Sequence, residues 1–151
     1  MIIKSLENLK SLSVTIAKKL SKSDCIFLIG EIGAGKTTFT RYLMNYLQEK
    51  NNIKQTDILS PTFNLLYEYD IKNYKIMHYD LYRLKDSQEV MQLDIFNEIS
   101  ETVKIIEWPE LIKNNIDNRI ELKFYHTTIE NERNLEIKGY GKWENLKINE
   151  L

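Results

Sequence analysis

Between Cys25 and Lys50 a short apolar run, CIFLIG, meets a glycine-rich turn, EIGAGK, and then a helical repeat, and this succession leaves few folds open. A continuous apolar run of strand length, bounded by turn residues, reads as a strand buried on both faces, the habit of parallel sheets. After the glycines, Phe39, Leu43 and Leu47 recur every four residues with Tyr42 and Tyr46 beside them, which predicts a helix from about Lys36 to Lys50. A buried strand feeding a helix through glycines implies an α/β fold with a central, mostly parallel sheet and flanking helices.

The turn itself spells chemistry. Gly30-Glu31-Ile32-Gly33-Ala34-Gly35-Lys36-Thr37 satisfies G-x-x-x-x-G-K-[ST] at every fixed position. Gly30 and Gly35 permit backbone angles and close approaches that a β-carbon forbids, so successive N–H groups can face phosphate oxygens. The helix that starts near Lys36 presents free N–H groups and the positive end of its dipole to the same anion. Lys36 adds a full charge within reach of β- and γ-phosphates, and the Thr37 hydroxyl is placed for Mg²⁺. A strand before the motif and a helix after it are the context that a P-loop requires.

The rest of the chain predicts further elements. Leu6, Leu9, Ile16, Ala17 and Leu20 fall at helical spacing over 6–20, with Ser5 as a cap and SKSD as the stop. The stretch LSPTFNLLYEYDIKNYKIMHYDLYRL reads as two β-rich runs joined by a turn around DIKN, a hairpin whose second strand ends near Asp80. SQEVMQLDIFNEIS, residues 87–100, is helical by composition, TVKIIEW is a buried strand ending at Glu107 and Trp108, and RIELKFYH and NLEIKGYG form a second hairpin. A length of 151 residues is expected to form a single domain, 1–151. Cys25, the lone cysteine, excludes an internal disulfide and sits among apolar neighbours. With neither a signal-peptide core nor a run that could span a bilayer, the chain is expected to be cytoplasmic. A net charge of −1 gives no general electrostatic grip on nucleic acid phosphates.

A nucleotide hydrolase also needs acids across the sheet. KIMHYD ends at Asp80 and VKIIE ends at Glu107, and in open α/β sheets ligands lie beyond the carboxyl ends of strands, so both can face a metal at Thr37. His78 reads as a core histidine of the hairpin rather than as a catalytic base. Trp108 either stacks near the site or packs the end of the sheet, and the tyrosines of YEYD and HYDLYRL read chiefly as hairpin packing. Arg83 stands where a Ras-type GTPase would carry glycine after its Walker B aspartate, and the guanine reader N-K-x-D is absent. With Arg41, Arg83, Arg119 and Arg133 as its only arginines, the chain lacks the clamp of a small-molecule kinase. An ATPase with little apparatus of its own is the favoured reading, beside a nucleotide-gated binding module in which hydrolysis is incidental and, less favoured, a small-molecule kinase.

GEIGAGKTTFTR, SPTFNLLYEY, HYDLYRL and IEWPE, in this order, resemble the TsaE (YjeE) family, the bacterial ATPase required for threonylcarbamoyladenosine modification of tRNA. The resemblance covers roughly residues 6–140. It implies a compact P-loop ATPase that uses ATP and Mg²⁺ and works with the TsaD and TsaB proteins, reaching tRNA only indirectly, with hydrolysis resetting or sustaining that complex. By the same resemblance Gly33, Ala34, Gly35, Lys36, Thr37 and Thr38 cradle the phosphates, Thr37 and Glu107 serve the metal, and Asp80 is the Walker B acid, binding Mg²⁺ directly or through water. Ser60 and Thr62 of SPTF then sense the γ-phosphate, Trp108 belongs to the nucleotide site, and Arg133 matches a hairpin arginine near the nucleotide. Leu9 departs from the family, which often has a threonine there, close to the base.

Overall fold

The computed structural model describes residues 1–96, 101–113, 116–130 and 132–146. Its strands are β1 (Ile2–Ile3), β2 (Cys25–Ile29), β3 (Leu66–Ile71), β4 (Tyr74–Asp80), β5 (Thr102–Glu107), β6 (Arg119–His126) and β7 (Arg133–Tyr140). Its α-helices are α1 (Leu6–Lys19), α2 (Lys36–Lys50) and α3 (Ser87–Gln92). The seven strands form one sheet in the order β1-β7-β6-β2-β5-β4-β3. The central four, β6-β2-β5-β4, run parallel, whereas β3 and β7 turn back as antiparallel hairpin partners and β1 caps the β7 edge. This is the α/β, P-loop NTPase-like arrangement that the strand–glycine–helix succession predicts.

The side-chain alternation of β2 divides the interior. Ile26 and Leu28 face the main core beneath α1 and α2, with Phe39, Leu43, Ile76, Ile105 and Leu122. Cys25 and Phe27 face the opposite layer with Tyr79, Leu81, Val90 and Ile106. Both faces of β2 are therefore apolar, as a strand in the middle of a parallel sheet requires. Burial pushes the Cys25 thiol up to about 12, so it behaves as a small apolar side chain.

Local signals set the helix ends. The Ser5 side chain accepts the Asn8 N–H at 3.2 Å, capping α1. Two expectations need correction. Leu6, counted with the buried face of this helix, is 64% exposed, because it borders an open cleft beside Gly33 and Thr38, and Leu12 fills the core instead. The helix predicted over 87–100 stops at Gln92, where Asp94 enters the left-handed region at φ 53° and turns the chain; residues 97–100 lie outside the described residues. β1, too short to leave a periodic pattern, was not anticipated. Among the described residues no helix is long and apolar enough to cross a membrane.

The junction between β2 and the loop after it is tight. Gly30 has φ +142°, and a β-carbon there would stand 2.5 Å from the Phe124 carbonyl oxygen of β6. Gly30→Ala therefore combines a backbone conformation foreign to L-residues with a backbone clash, and is expected to lower unfolding free energy by about 2–4 kcal/mol. Urea unfolding measures this; a midpoint equal to that of the unsubstituted chain would show that the junction tolerates a side chain.

Candidate functional site

The loop over residues 30–37 leads from β2 into α2. Gly35 is the N-cap at φ 114°, with no side-chain cap, and the first helical bond runs from the Phe39 N–H to its carbonyl. The N–H groups of Lys36, Thr37 and Thr38 consequently have no intrahelical acceptor and open at the positive end of the helix dipole. Gly33, at φ +76°, has nothing within 4 Å of where its β-carbon would stand, so its backbone conformation and not a close neighbour favours glycine there. Ala34 is buried and its N–H closes a turn onto the Glu31 carbonyl at 3.2 Å. A cleft of about 370 Å³ lies against the loop, lined by Gly33, Gly35, Lys36, Thr37 and Thr38 on one wall and by Ser60, Thr62, Asp80, Tyr82, Glu107 and Trp108 on the other. A larger hollow on the β6–β7 hairpin lies among Tyr125, His126, Asn134 and Glu136, away from these groups.

The sheet register brings the acids together. Asp80 on β4 and Glu107 on β5 are in-register neighbours, and Glu107 is in turn level with Leu28 of β2, next to the loop. Both carboxylates are only 2% exposed as residues. The Thr37 hydroxyl donates to Glu107 Oε1 at 3.0 Å. Asp80 Oδ2 accepts from the hydroxyls of Ser60 and Thr62 at 2.8 and 2.6 Å, while its Oδ1 accepts the Tyr82 N–H at 3.0 Å. Thus the SPTF segment is latched to the β4 acid and the helix hydroxyl to the β5 acid.

Lys36 folds back over its own loop. Its Nζ donates to the carbonyls of Gly30 and Glu31 at 2.5 and 2.9 Å and lies 4.3 Å from the centre of the Trp108 ring. Trp108 reaches this place because it takes a left-handed backbone, φ 58°, right after β5, and its ring packs on Tyr82 with centroids 4.9 Å apart. Of the two positions left open in the sequence for Trp108, the structure shows the one in the wall of the cleft.

A second cleft, of about 700 Å³, backs onto the loop, where Gly33, Gly35 and Thr38 meet Ser5, Leu6, Leu9 and Arg133. Arg133 lies with Nη2 3.4 Å from the Gly33 carbonyl, and the Leu9 Cδ2 atom would be 3.8 Å from a β-carbon on Gly35. None of the four arginines lines the cleft that holds the acids. Arg41 holds the Ile58 carbonyl, Arg83 lies over the exposed Phe63, and Arg119 packs on Tyr140 at the other end of the sheet.

Two participants were not legible as such in the sequence. Tyr82 enters through its packing on Trp108. His78, read as a core histidine, is indeed buried, but its Nε2 is 3.0 Å from Glu107 Oε1. Its position two residues before Asp80 on one strand, hence on the same face, was the available signal.

A glycine loop, two acids in register and the latched SPTF segment thus meet at one end of the sheet. The family model described as "Threonylcarbamoyl adenosine biosynthesis protein TsaE" matches residues 3–135. The chain belongs to the TsaE family. Relatives called tRNA threonylcarbamoyladenosine biosynthesis protein TsaE include one from Rickettsia conorii, 41% identical over 111 residues, and one from Haemophilus influenzae, 34% identical over 122 residues. The first alignment covers 74% of this chain but 61% of the relative, the second 77% and 70%. The crystal structure of Bacillus subtilis YdiB superposes on this TsaE-family chain with a TM-score of 0.69 over 97% of it and 88% of YdiB, at 22% identity, which shows a common fold.

The Lys36 ammonium of this TsaE-family chain is held below its ordinary 10.5, first by burial, against the opposing pull of Glu107 and Asp80. The unfolded chain therefore binds that proton more tightly than the folded one. The resulting cost to stability is full below the folded pKa, relieved as pH rises from there towards 10.5, and absent above it. Lys36→Met is accordingly expected to leave the melting temperature of the ligand-free protein equal or higher at neutral pH, with the difference shrinking in alkaline buffer. Melting curves across pH check this, and a clear loss of stability at neutral pH would contradict it.

Proposed function

We propose that this TsaE-family chain binds and hydrolyses ATP with Mg²⁺ in the service of threonylcarbamoyladenosine modification of the adenosine next to the anticodon of tRNAs, acting in the cytoplasm with the TsaD and TsaB proteins. The observation that carries the reading is that Glu107 and Asp80 lie level across the cleft from the free N–H groups of the glycine loop, with the Thr37 hydroxyl on the loop side bonded to Glu107. A hydroxyl and one or two carboxylates are a poor cage by themselves but suit Mg²⁺, which completes its shell with water and nucleotide phosphates. Bound there, Mg²⁺ would neutralise charge on the phosphoryl group in transfer.

The residues divide the remaining work. The loop amides and Lys36 hold the phosphates, for which the Lys36 ammonium exchanges its two carbonyl partners for stronger, charged acceptors. Thr37, Glu107 and Asp80 provide the donor set for the metal, and Ser60 and Thr62, leaving Asp80, are free to report on the terminal phosphate. The nucleoside end extends round the loop into the cleft of Ser5, Leu9, Thr38 and Arg133. Because no arginine lines the cleft, the chain depends on a partner for added charge or for ordering the SPTF segment, which accounts for a role with TsaD and TsaB and for contact with tRNA only through them. The same observation favours a second reading, a nucleotide-gated binding module whose hydrolysis is incidental.

Phosphate release separates these. Glu107→Ala is expected to retain ATP binding but lose at least about a hundredfold in turnover, since a metal shell short of one carboxylate misplaces the ion. Lys36→Ala should lose both binding and turnover while remaining folded. Normal hydrolysis by Glu107→Ala would reassign that acid as structural.

Steady-state turnover is expected to be slow for the isolated chain and to rise on adding TsaD and TsaB, as a missing arginine or an unordered switch can cost about 10³–10⁵ in rate. Thr62→Ala should blunt that rise more than it weakens ATP binding. A rate that is fast alone and indifferent to these proteins would remove the partner-dependent mechanism; slow turnover with nucleotide-dependent partner binding would favour the gated module.

A further inference from the structure

His78 is a buried polar group beside the cleft to which ATP binding and hydrolysis assign no task. It stands on β4 two residues before Asp80, and its ring reaches diagonally to Glu107 on β5. The two side chains are 0% and 3% exposed. Nε2 faces Glu107 Oε1 at 3.0 Å, and towards a carboxylate, which can only accept, it is the Nε2–H tautomer that forms the bond. Nδ1 is buried without a hydrogen-bond partner. An apolar side chain would fill this position without an unpaired nitrogen, so what the imidazole adds is its single bond to Glu107.

That bond has a companion. The Thr37 hydroxyl donates to the same oxygen, Oε1, so donors from β4 and from α2 together set the rotation of the carboxylate. Oε2 takes no hydrogen bond from the described residues. Thr37 is also the hydroxyl whose lone pair a cation at the loop would claim in exchange for its present geometry, so the direction of its O–H, and with it its hold on Glu107, depends on the ion. His78, fixed in the sheet, does not move with that exchange.

We infer that His78 is a positioning residue: its Nε2–H keeps Glu107 Oε1 in place so that the carboxylate stays aimed at a divalent cation when the Thr37 hydroxyl turns to that ion. The inference rests on the nucleotide reading above. Hydrogen-bond donors behind metal-binding carboxylates are worth roughly 10–100-fold in metal affinity or activity.

The test measures ADP binding to the full chain by calorimetry, without Mg²⁺ and across a Mg²⁺ titration, for His78→Leu and His78→Gln, alone and combined with Glu107→Ala. His78→Leu should bind ADP normally without metal, yet need about tenfold more Mg²⁺ for half of the metal-dependent gain. His78→Gln, whose amide N–H can reach towards Oε1, should recover most of that loss. In the Glu107→Ala background His78→Leu should add nothing, because it acts through the missing carboxylate. Should His78→Leu fail to fold, His78→Asn, whose shorter amide stops short of Oε1, takes its place against His78→Gln. Wild-type Mg²⁺ dependence in the donor-less variant, no recovery with Gln, or a shift that persists without Glu107 would overturn the assignment of His78 alone. Absence of any Mg²⁺-dependent ADP binding by the unsubstituted chain would overturn the nucleotide reading and this inference with it.

Discussion

Parallel pairing of β5 with β2 on one side and β4 on the other holds Leu28, Glu107 and Asp80 level across the sheet. Every group in the cleft takes its position from this line. The two acids close their strands, β2 runs one residue further to Ile29, and the loop leaves from there. A slip of one residue would turn a carboxylate to the opposite face of the sheet, in the β2–β5 pairing taking Glu107 from Thr37 and in the β5–β4 pairing taking Asp80 from Ser60 and Thr62. Such a slip would also exchange side chains of unlike size between two close-packed layers, so the register that packs the core also assembles the site.

Within that frame the charged and polar groups satisfy one another. Lys36 holds loop carbonyls, Thr37 holds Glu107, and Ser60 and Thr62 share Asp80. On the proposed function, a phosphate would replace the carbonyls that hold Lys36 with a charged acceptor. The network keeps two buried carboxylates from standing uncompensated, which would otherwise be expensive. It also links the SPTF segment, with Phe63 exposed at its tip, directly to the acid on β4.

Strain gathers at the same end. Gly30 and Gly35 adopt conformations foreign to side-chain-bearing residues, and Trp108 holds a left-handed backbone that costs about 1–2 kcal/mol. That conformation, closed by the Trp108 N–H bond to the Leu28 carbonyl, is what turns the indole back over Lys36. At the other end of the sheet the requirements are structural: Asp24 accepts the Ser21 N–H and the Trp143 indole N–H, fastening the segment after β7 to the start of β2.

The sequence by itself determined the local pieces: the strand, glycine loop and helix of residues 25–50, the two hairpins, the acids at the ends of β4 and β5, and the cap at Ser5. These are legible because periodicity, glycine placement and capping act over a few neighbouring residues. Spacing along the chain does not reveal which strands lie side by side, and so only the tertiary structure decided that β6 pairs with β2, that Leu6 stays in solvent while Leu12 is buried, and that the helix after Asp86 ends at Gln92. The same holds for the contacts of His78 and Trp108. One is made by a diagonal neighbour on an adjacent strand and the other by an unfavourable backbone angle, and both are set by packing energies summed over residues far apart in the chain rather than by the preferences of either residue.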